Sequence, residues 1–185
     1  MNNKLRILLD MDEVLNVFCK TILHEYNKDK GTNYDVSIID KWEIPKELDG
    51  FWDYLTPELI ENMPIKDGVK ETLAKWKSKG YEIFIITGIL DDGHYLNKIK
   101  WLHNVGIFEY IDDIIPTIYK HIIGGTVMIE DNVEYLRKWK QENPNGLALL
   151  MTTHSNINRD VSDEPIVRIK DWNEIDLVVD VLTRE

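Results

Sequence analysis

The chain has 185 residues, of which 43% are hydrophobic, so it can bury the core of one domain with at most a modest insertion. A formal net charge of −11 argues against a membrane surface or polymeric nucleic acid as partner, and any bound phosphate must therefore meet a local cation. A single cysteine, Cys19, excludes an internal disulfide; with no apolar run of membrane-spanning length and no visible signal peptide, this favours a cytoplasmic protein.

The first predicted strand ends in two carboxylates. The apolar run 5–9 is typical of a buried strand, and Asp10 and Asp12 follow it, one residue apart. A parallel sheet presents its functional groups at the carboxyl ends of its strands. Two acids at such a place are costly to desolvate unless a cation or a substrate pairs with them. The pair therefore predicts a divalent-metal site with an acidic nucleophile.

A long segment, residues 17–66, separates this strand from the next predicted helix. It contains many apolar and aromatic residues, so it is not a disordered linker. One interpretation is a small helical cap inserted after the first strand and placed over the acidic pair. The chain then divides into a cap (17–66) and an α/β core (1–16 and 67–185). The alternative is a long crossover with extra helices.

The rest of the chain alternates between strand and helix patterns, which predicts a mostly parallel α/β sheet. Strands are predicted at 81–86, 126–129 and 147–151, with a short edge strand at 166–169. Helices are predicted at 68–79, which Gly80 is suited to end, and at 96–103, 133–140 and 173–182. The run 91–94 is predicted to be a solvated loop.

Polar residues also end two of the later strands. Thr87 and Gly88 follow the second predicted strand, and Lys98 lies in the helix after it. Glu130 and Asp131 follow the third strand as a second acidic pair. When a carboxylate attacks a phosphate, a divalent cation must offset their repulsion, a hydroxyl and an amine bind the phosphoryl oxygens, and a second acid protonates the leaving oxygen. The residues therefore suggest aspartyl-phosphate chemistry.

In chain order, these groups resemble the four motifs of the haloacid dehalogenase (HAD) superfamily of phosphatases. The matching segments are Asp10-Met11-Asp12-Glu13-Val14, Thr87, Lys98 and Glu130-Asp131. The finer resemblance is to the 5'(3')-deoxyribonucleotidases, because Phe18 follows the first motif closely and Lys98 precedes Trp101 by three residues. Further segments similar to bacterial members are Thr153-His154-Ser155-Asn156, Arg168 and Trp172. The resemblance covers nearly the whole chain and implies a Rossmann-like, three-layer sandwich of the HAD type with a cap.

The resemblance implies roles for the acidic residues. Asp10 is the expected nucleophile and a metal ligand. Asp12 is the expected general acid and base, and its backbone carbonyl also faces the metal. Asp131 is expected to be the remaining metal ligand. Glu130 stands where many members have aspartate, so it is either a metal ligand or an acceptor behind the ligands.

The resemblance also implies a phosphate-binding set of Thr87 and Lys98, with Gly88 as a neighbouring substrate-binding residue. Lys100 is the nearest rival of Lys98, but it directly precedes Trp101 and so departs from the family spacing. After Thr87 the chain lacks the serine and arginine that some nucleotidases place there for phosphate and sugar.

Aromatic residues of the segment 17–66 have two interpretations. Trp42, Phe51 and Trp52 are predicted to form the core of the cap. Phe18 suits either that core or stacking on a nucleobase, which makes it a candidate substrate-binding residue.

Taken with the resemblance, these residues imply Mg²⁺-dependent hydrolysis of a small phosphomonoester through an aspartyl-phosphate intermediate. The expected substrates are (deoxy)nucleoside 5'- or 3'-monophosphates. Two alternatives stay open: a phosphatase of the same chemistry acting on another phosphomonoester such as a sugar phosphate, and a non-catalytic relative that binds a phosphorylated ligand. No membrane or polymeric nucleic acid is expected as partner, and the oligomeric state is left open, a homodimer included.

Overall fold

The computed structural model describes residues 4–40 and 42–181, and its centre is a six-stranded sheet. The strands are β1 (Arg6–Leu9), β2 (Glu82–Thr87), β3 (Asp113–Pro116), β4 (Val127–Glu130), β5 (Leu147–Met151) and β6 (Ile166–Ile169). Their order is β3-β2-β1-β4-β5-β6, and every pairing between neighbours is parallel. The predicted parallel α/β sheet is confirmed, with β6 at one edge.

Helices cover both faces of this sheet. They are α1 (Phe18–Lys30), α2 (Pro57–Glu61), α3 (Val69–Ser78), α4 (Asp92–Asn104), α5 (Val133–Glu142) and α6 (Trp172–Val181). Successive residues of β1 point to opposite faces, so Ile7 and Leu9 join one apolar cluster and Leu8 joins the other. The first cluster contains buried residues of α3, α4 and α6, and the second contains those of α5. The fold is therefore a three-layer α/β sandwich, as predicted.

One local prediction was wrong, one strand was missed, and one prediction falls partly outside the described residues. The run 91–94 is not a loop, because the Asp91 side chain accepts a hydrogen bond from the backbone N–H of His94 at 2.8 Å and so caps α4 at its start. The strand β3 was not predicted, since its two apolar residues lie between an aspartate and a proline in a four-residue edge strand. The helix predicted at 173–182 is α6, and position 182 lies outside the described residues.

Residues 17–66, called the cap segment here, contain α1, α2 and three short 3-10 turns (Val36–Ile38, Lys46–Leu48 and Phe51–Tyr54). The two connections to the sheet are hydrogen-bonded to each other, with Val17 N to Pro64 O at 2.9 Å and Lys66 N to Leu15 O at 2.8 Å. Its buried side chains belong to the same apolar cluster as Ile7 of β1. The cap segment thus packs continuously with one face of the sandwich.

The sheet topology brings the polar strand ends together. Leu9 of β1 pairs with Ile85 of β2 on one side and with Ile129 of β4 on the other, so the three carboxyl ends lie side by side. The order of strands reverses at β1, and such a reversal opens a crevice at this edge of a parallel sheet. The loop after β1 is also held from behind, because the indole N–H of Trp172 in α6 donates to the carbonyl of Val14 at 3.0 Å. Within the described residues, no helix is long and apolar enough to cross a membrane.

Candidate active site

The predicted acids and hydroxyl lie at adjoining strand ends. Asp10 follows β1 directly, and its backbone N–H donates to the carbonyl of Ile129 at 2.9 Å, which extends the pairing of β1 with β4. Thr87 is the last residue of β2, and Glu130 is the last residue of β4. The fold therefore gathers the predicted residues of three separate motifs at one edge of the sheet.

Lys98 organises one half of the site. Its ammonium Nζ lies 2.6 Å from Asp12 Oδ2, 2.7 Å from Thr87 Oγ1 and 3.1 Å from the carbonyl of Gly88. The Lys98 side chain is only 1% exposed, so the ammonium that α4 positions here is buried. We call Asp12, Thr87, Gly88 and Lys98 the phosphate half, because its amine and hydroxyl are donors suited to phosphoryl oxygens.

Two further observations distinguish the contacts of Lys98 from a chance ion pair. Asn16 donates from Nδ2 to Asp12 Oδ1 at 3.1 Å, so both oxygens of that carboxylate are held. Lys100, the rival of Lys98, is exposed and bonds Glu61 Oε1 at 2.8 Å on the outside of α4. The structure thus places Lys98, and not Lys100, in the site.

The acidic half contains three buried carboxylates, those of Asp10, Glu130 and Asp131. One oxygen from each lies within 4.8 Å of the others. A second buried lysine, Lys120, bridges two of them, with Nζ 2.6 Å from Asp10 Oδ1 and 2.7 Å from Glu130 Oε2. Lys120 was missed by the sequence analysis, because it lies on a short 3-10 turn before β4 and outside any periodic element. The sequence signal that could have indicated Lys120 was its position shortly before the acidic pair of Glu130 and Asp131.

The acidic half holds more negative charge than its one ammonium can balance. Burial, followed by the charge of Glu130, raises the pKa of Asp10 to about 7 from an ordinary value of 3.8. The same causes, with Asp10 added, raise the pKa of Asp131 well above its ordinary value. Burial alone would lower the pKa of Lys120, but Asp10 and Glu130 outweigh it and raise that pKa. An oxygen-rich, negatively charged set of this kind fits Mg²⁺, which prefers one or two carboxylates and keeps several waters.

Glu130 has both of its oxygens engaged. Oε1 accepts the backbone N–H groups of Asp131 and Asn132 at 3.1 and 3.0 Å, and Oε2 accepts from Lys120. Of the two roles that the sequence left open, this geometry favours the acceptor that holds the turn and the lysine behind the ligands.

A second group of possible ligand types lies next to the site. One ligand atom each of Glu13, Cys19 and His154 falls within a 4.8 Å cluster. Glu13 is already engaged, since Oε1 accepts the backbone N–H of Cys19 at 2.7 Å and Oε2 lies 3.8 Å from the ammonium of Lys66. Burial also raises the pKa of the Cys19 thiol, so the thiolate needed by a metal is disfavoured. We therefore assign this group to an ion pair at the base of the cap segment.

The aromatic residues of the cap segment form one cluster. The ring centroid of Phe18 lies 6.0 Å from that of Trp42 and 6.3 Å from that of Trp52. Phe18 is 4% exposed, whereas Trp52 is 45% exposed. The structure therefore buries Phe18, which suited either the cap core or base stacking, whereas Trp52, predicted for the cap core, is the more accessible ring.

Comparison with solved structures finds the same fold in several proteins described as HAD-superfamily hydrolases. A HAD family hydrolase from Deinococcus radiodurans R1 with bound phosphate and sodium has a TM-score of 0.68 at 17% identity, over 95% of each chain. A HAD-superfamily hydrolase from Ehrlichia chaffeensis has a TM-score of 0.56 at 18% identity, over 97% of this chain and 98% of that chain. A Bacillus subtilis protein assigned as a HAD-hydrolase and bound to magnesium has a TM-score of 0.62 at 11% identity, over 95% of this chain and 98% of that chain. No curated protein matches the sequence.

The six-stranded parallel sheet of this chain is thus the fold that it shares with these HAD-superfamily structures. The family model described as 5' nucleotidase, deoxy (pyrimidine), cytosolic type C protein matches residues 3–184, and the chain belongs to this family. It is a phosphoric monoester hydrolase of the nucleotidase type, which confirms the family and the enzyme class expected from the sequence.

Proposed function

We propose that the protein hydrolyses phosphomonoesters with Mg²⁺ and an aspartyl-phosphate intermediate, and that its substrates are (deoxy)nucleoside 5'- or 3'-monophosphates. One observation carries the reaction: Asp10 belongs to an acidic half suited to a cation, and the charge of Asp12, in the adjoining phosphate half suited to an anion, acts on it. Lys98 and Lys120 are the local cations that a chain of net charge −11 needs in order to accept a phosphate.

In the structure, the ammonium of Lys98 is hydrogen-bonded to Asp12 and Thr87. A phosphoryl group entering the phosphate half would take over the donors of Lys98 and the hydroxyl of Thr87. That exchange releases Asp12 from its ion pair and frees its carboxyl, with a proton taken from solvent, to act as the general acid. Lys120 bonds one oxygen of Asp10 and favours the ionised, nucleophilic carboxylate against the effect of burial.

Two steps then follow from these positions. In the first, an Asp10 oxygen attacks phosphorus, the bond from phosphorus to the ester oxygen breaks, and Asp12 gives its proton to that departing oxygen. In the second, Asp12 takes a proton from water, the water oxygen attacks phosphorus, and the bond between Asp10 and phosphorus breaks to release inorganic phosphate. Asp10 and Asp12 both return to their starting forms.

Asp10, Asp131 and the backbone carbonyl of Asp12 would hold the metal. A bound Mg²⁺ supplies positive charge that offsets the repulsion between carboxylate and phosphate and polarises the phosphoryl group. Glu130 supports this set by fixing Lys120 and the turn that carries Asp131.

Substrate selectivity is assigned to the cap segment, with 17–66 as a cap and 1–16 and 67–185 as the core. The aromatic cluster of Phe18, Trp42 and Trp52 supports a nucleobase site, because bases stack on aromatic faces. The family description, which names a cytosolic pyrimidine deoxynucleotidase, supports both the nucleotide substrate and a cytoplasmic location.

Phosphate release from a panel of substrates tests the proposal. The purified protein is assayed with 5'- and 3'-nucleotides and with sugar phosphates, in Mg²⁺ and in EDTA. The proposal expects turnover of at least one class of nucleoside monophosphate with Mg²⁺ and a loss of turnover with EDTA. Turnover of a sugar phosphate alone would contradict the nucleotide assignment and favour a sugar phosphate as substrate. No phosphate release from any compound would contradict the proposed reaction itself.

A further inference from the structure

The carboxylate of Asp131 receives hydrogen bonds from two distant parts of the chain. The indole Nε1 of Trp42, in the cap segment, donates to Asp131 Oδ2 at 3.0 Å. The hydroxyls of Ser155 and Thr153, in the loop after β5, lie 3.4 and 3.5 Å from the same oxygen and share a hydrogen bond of 2.8 Å, so one of the two can donate to Asp131. These groups all face Oδ2, so the opposite carboxylate oxygen is turned away from them.

The loop after β5 is anchored to the sheet. Asn156 donates from Nδ2 to the backbone carbonyls of Asp131 at 2.7 Å and Met151 at 2.8 Å. Arg168 of β6 donates in turn to Asn156 Oδ1 at 2.9 Å and to the Asn156 carbonyl at 3.1 Å. This side of Asp131 is therefore part of the sandwich itself. Trp42 is the contact that depends on the position of the cap segment.

The backbone at Trp42 is held in an unfavourable conformation. Its φ is +62°, in the left-handed region that a bulky side chain rarely adopts. The surrounding turn is closed by a hydrogen bond from Glu43 N to Asp40 O at 2.8 Å, and the ring packs on Phe18. Such strain persists only where neighbouring contacts determine the conformation, and it is concentrated at functional sites. A cavity of about 80 Å³ lies beside this contact and is lined by Trp42, Asp131 and residues of the loop after β5.

We propose that Trp42 is a positioning residue for the metal ligand Asp131, so that the cap segment contributes to Mg²⁺ binding through this one hydrogen bond. The indole N–H fixes Oδ2, which presents the other oxygen to the metal. This inference rests on the metal site of the proposed function. Partners that orient a metal ligand typically contribute 10–100-fold to metal affinity.

Calorimetric titration of Mg²⁺ into the metal-free protein tests the positioning role of Trp42. Trp42→Phe removes the N–H and keeps an aromatic ring against Phe18. Trp52→Phe is the matched control, because it removes the same group from another ring on Phe18; across the described residues, Trp52 makes no hydrogen bond to Asp131. We expect Kd for Mg²⁺ to rise about tenfold or more in Trp42→Phe and by less than about twofold in Trp52→Phe.

Activity at high metal gives a second measurement that a merely structural role would not move. If the variant only binds Mg²⁺ more weakly, its kcat approaches the wild-type value as Mg²⁺ is raised. A kcat that stays low at saturating Mg²⁺, with an unchanged Kd for the metal, would overturn the inference and leave the metal site standing. Absence of Mg²⁺ binding to the wild type would instead contradict the metal site of the proposed function, and the inference with it.

Discussion

The two halves of the site differ in how their charges balance. In the phosphate half, one buried ammonium meets one carboxylate, a hydroxyl and a carbonyl. In the acidic half, one ammonium meets two of three buried carboxylates that lie close together. In the first arrangement the two charges balance, and the proposed function has a phosphate take the place of the carboxylate. The second keeps excess negative charge, which only protonation or a bound cation relieves.

Removing Asp10, the proposed nucleophile, tests the acidic half most directly. Asp10→Asn is expected to lower kcat by about 10⁴-fold or more, because an amide cannot form the acyl phosphate. Phosphate release from the substrate that the wild type turns over best is the measurement. Wild-type turnover by the folded Asn variant would contradict the assignment of Asp10.

Substituting the two buried lysines one at a time tests the two halves of the site separately. Lys120→Met leaves two buried carboxylates without their cation, and breaking a buried pair in this way costs roughly 3–5 kcal/mol. Lys98→Met should cost less stability, because its partner Asp12 keeps 19% of its side chain exposed, but it should lower kcat/KM about 100-fold or more.

Lys100→Met is the matched control for both, since this lysine pairs with Glu61 outside the site. Thermal unfolding and kcat/KM are measured for all three variants. Equal losses of stability in Lys98→Met and Lys120→Met would show that the two halves do not differ in charge balance.

Mg²⁺ should stabilise the folded protein through the acidic half. Only the folded state assembles these ligands, so metal at 100 times its Kd adds about 2.7 kcal/mol, and each kcal/mol raises Tm by about 2–4 °C for a chain of this size. Thermal unfolding with and without millimolar Mg²⁺ measures the shift. Asp131→Asn should reduce this shift in Tm. A wild-type Tm that does not change with Mg²⁺ would contradict the metal site.

The aromatic cluster offers a smaller, selective effect. Trp52→Ala should lower kcat/KM for a nucleoside monophosphate by about tenfold, the equivalent of 1.4 kcal/mol of stacking, with little change for p-nitrophenyl phosphate. Phe18→Ala should affect both substrates, because Phe18 is buried and supports the packing. A selective loss in Phe18→Ala, with none in Trp52→Ala, would restore Phe18 as the stacking residue.

The smallest expected effect is a dependence of stability on pH in the metal-free protein. The folded pKa of Asp10, about 7, lies above the ordinary value of 3.8, so the folded state holds this proton more tightly. Its contribution to stability is fully present below pH 3.8 and is lost as pH rises through 7. Asp10→Asn should therefore raise Tm relative to the wild type at pH 8 by a few degrees more than at pH 5, by differential scanning calorimetry; the reverse order would contradict the raised pKa.

Sequence patterns were sufficient where the chain is periodic. The apolar strands and the acids that follow them predicted the sheet and placed Asp10, Thr87 and Asp131 at one edge. The patterns were insufficient where contacts are made between irregular segments. Lys120 reaches Asp10 from a 3-10 turn, so no spacing connects the two residues. The bond from Trp42 to Asp131 joins positions 89 residues apart, and only the fold brings them together.

The hydrogen bond from Trp172 to Val14 has a consequence for biosynthesis. The loop that follows Asp10 accepts a hydrogen bond from Trp172 of α6, which lies 158 residues after Val14. A ribosome makes β1 and this loop early, yet this hydrogen bond forms only after residue 172 has been added and α6 has docked. Support of the loop from behind is thereby tied to translation of α6, so a nascent chain has Asp10 long before it has the contact that holds the following loop in place.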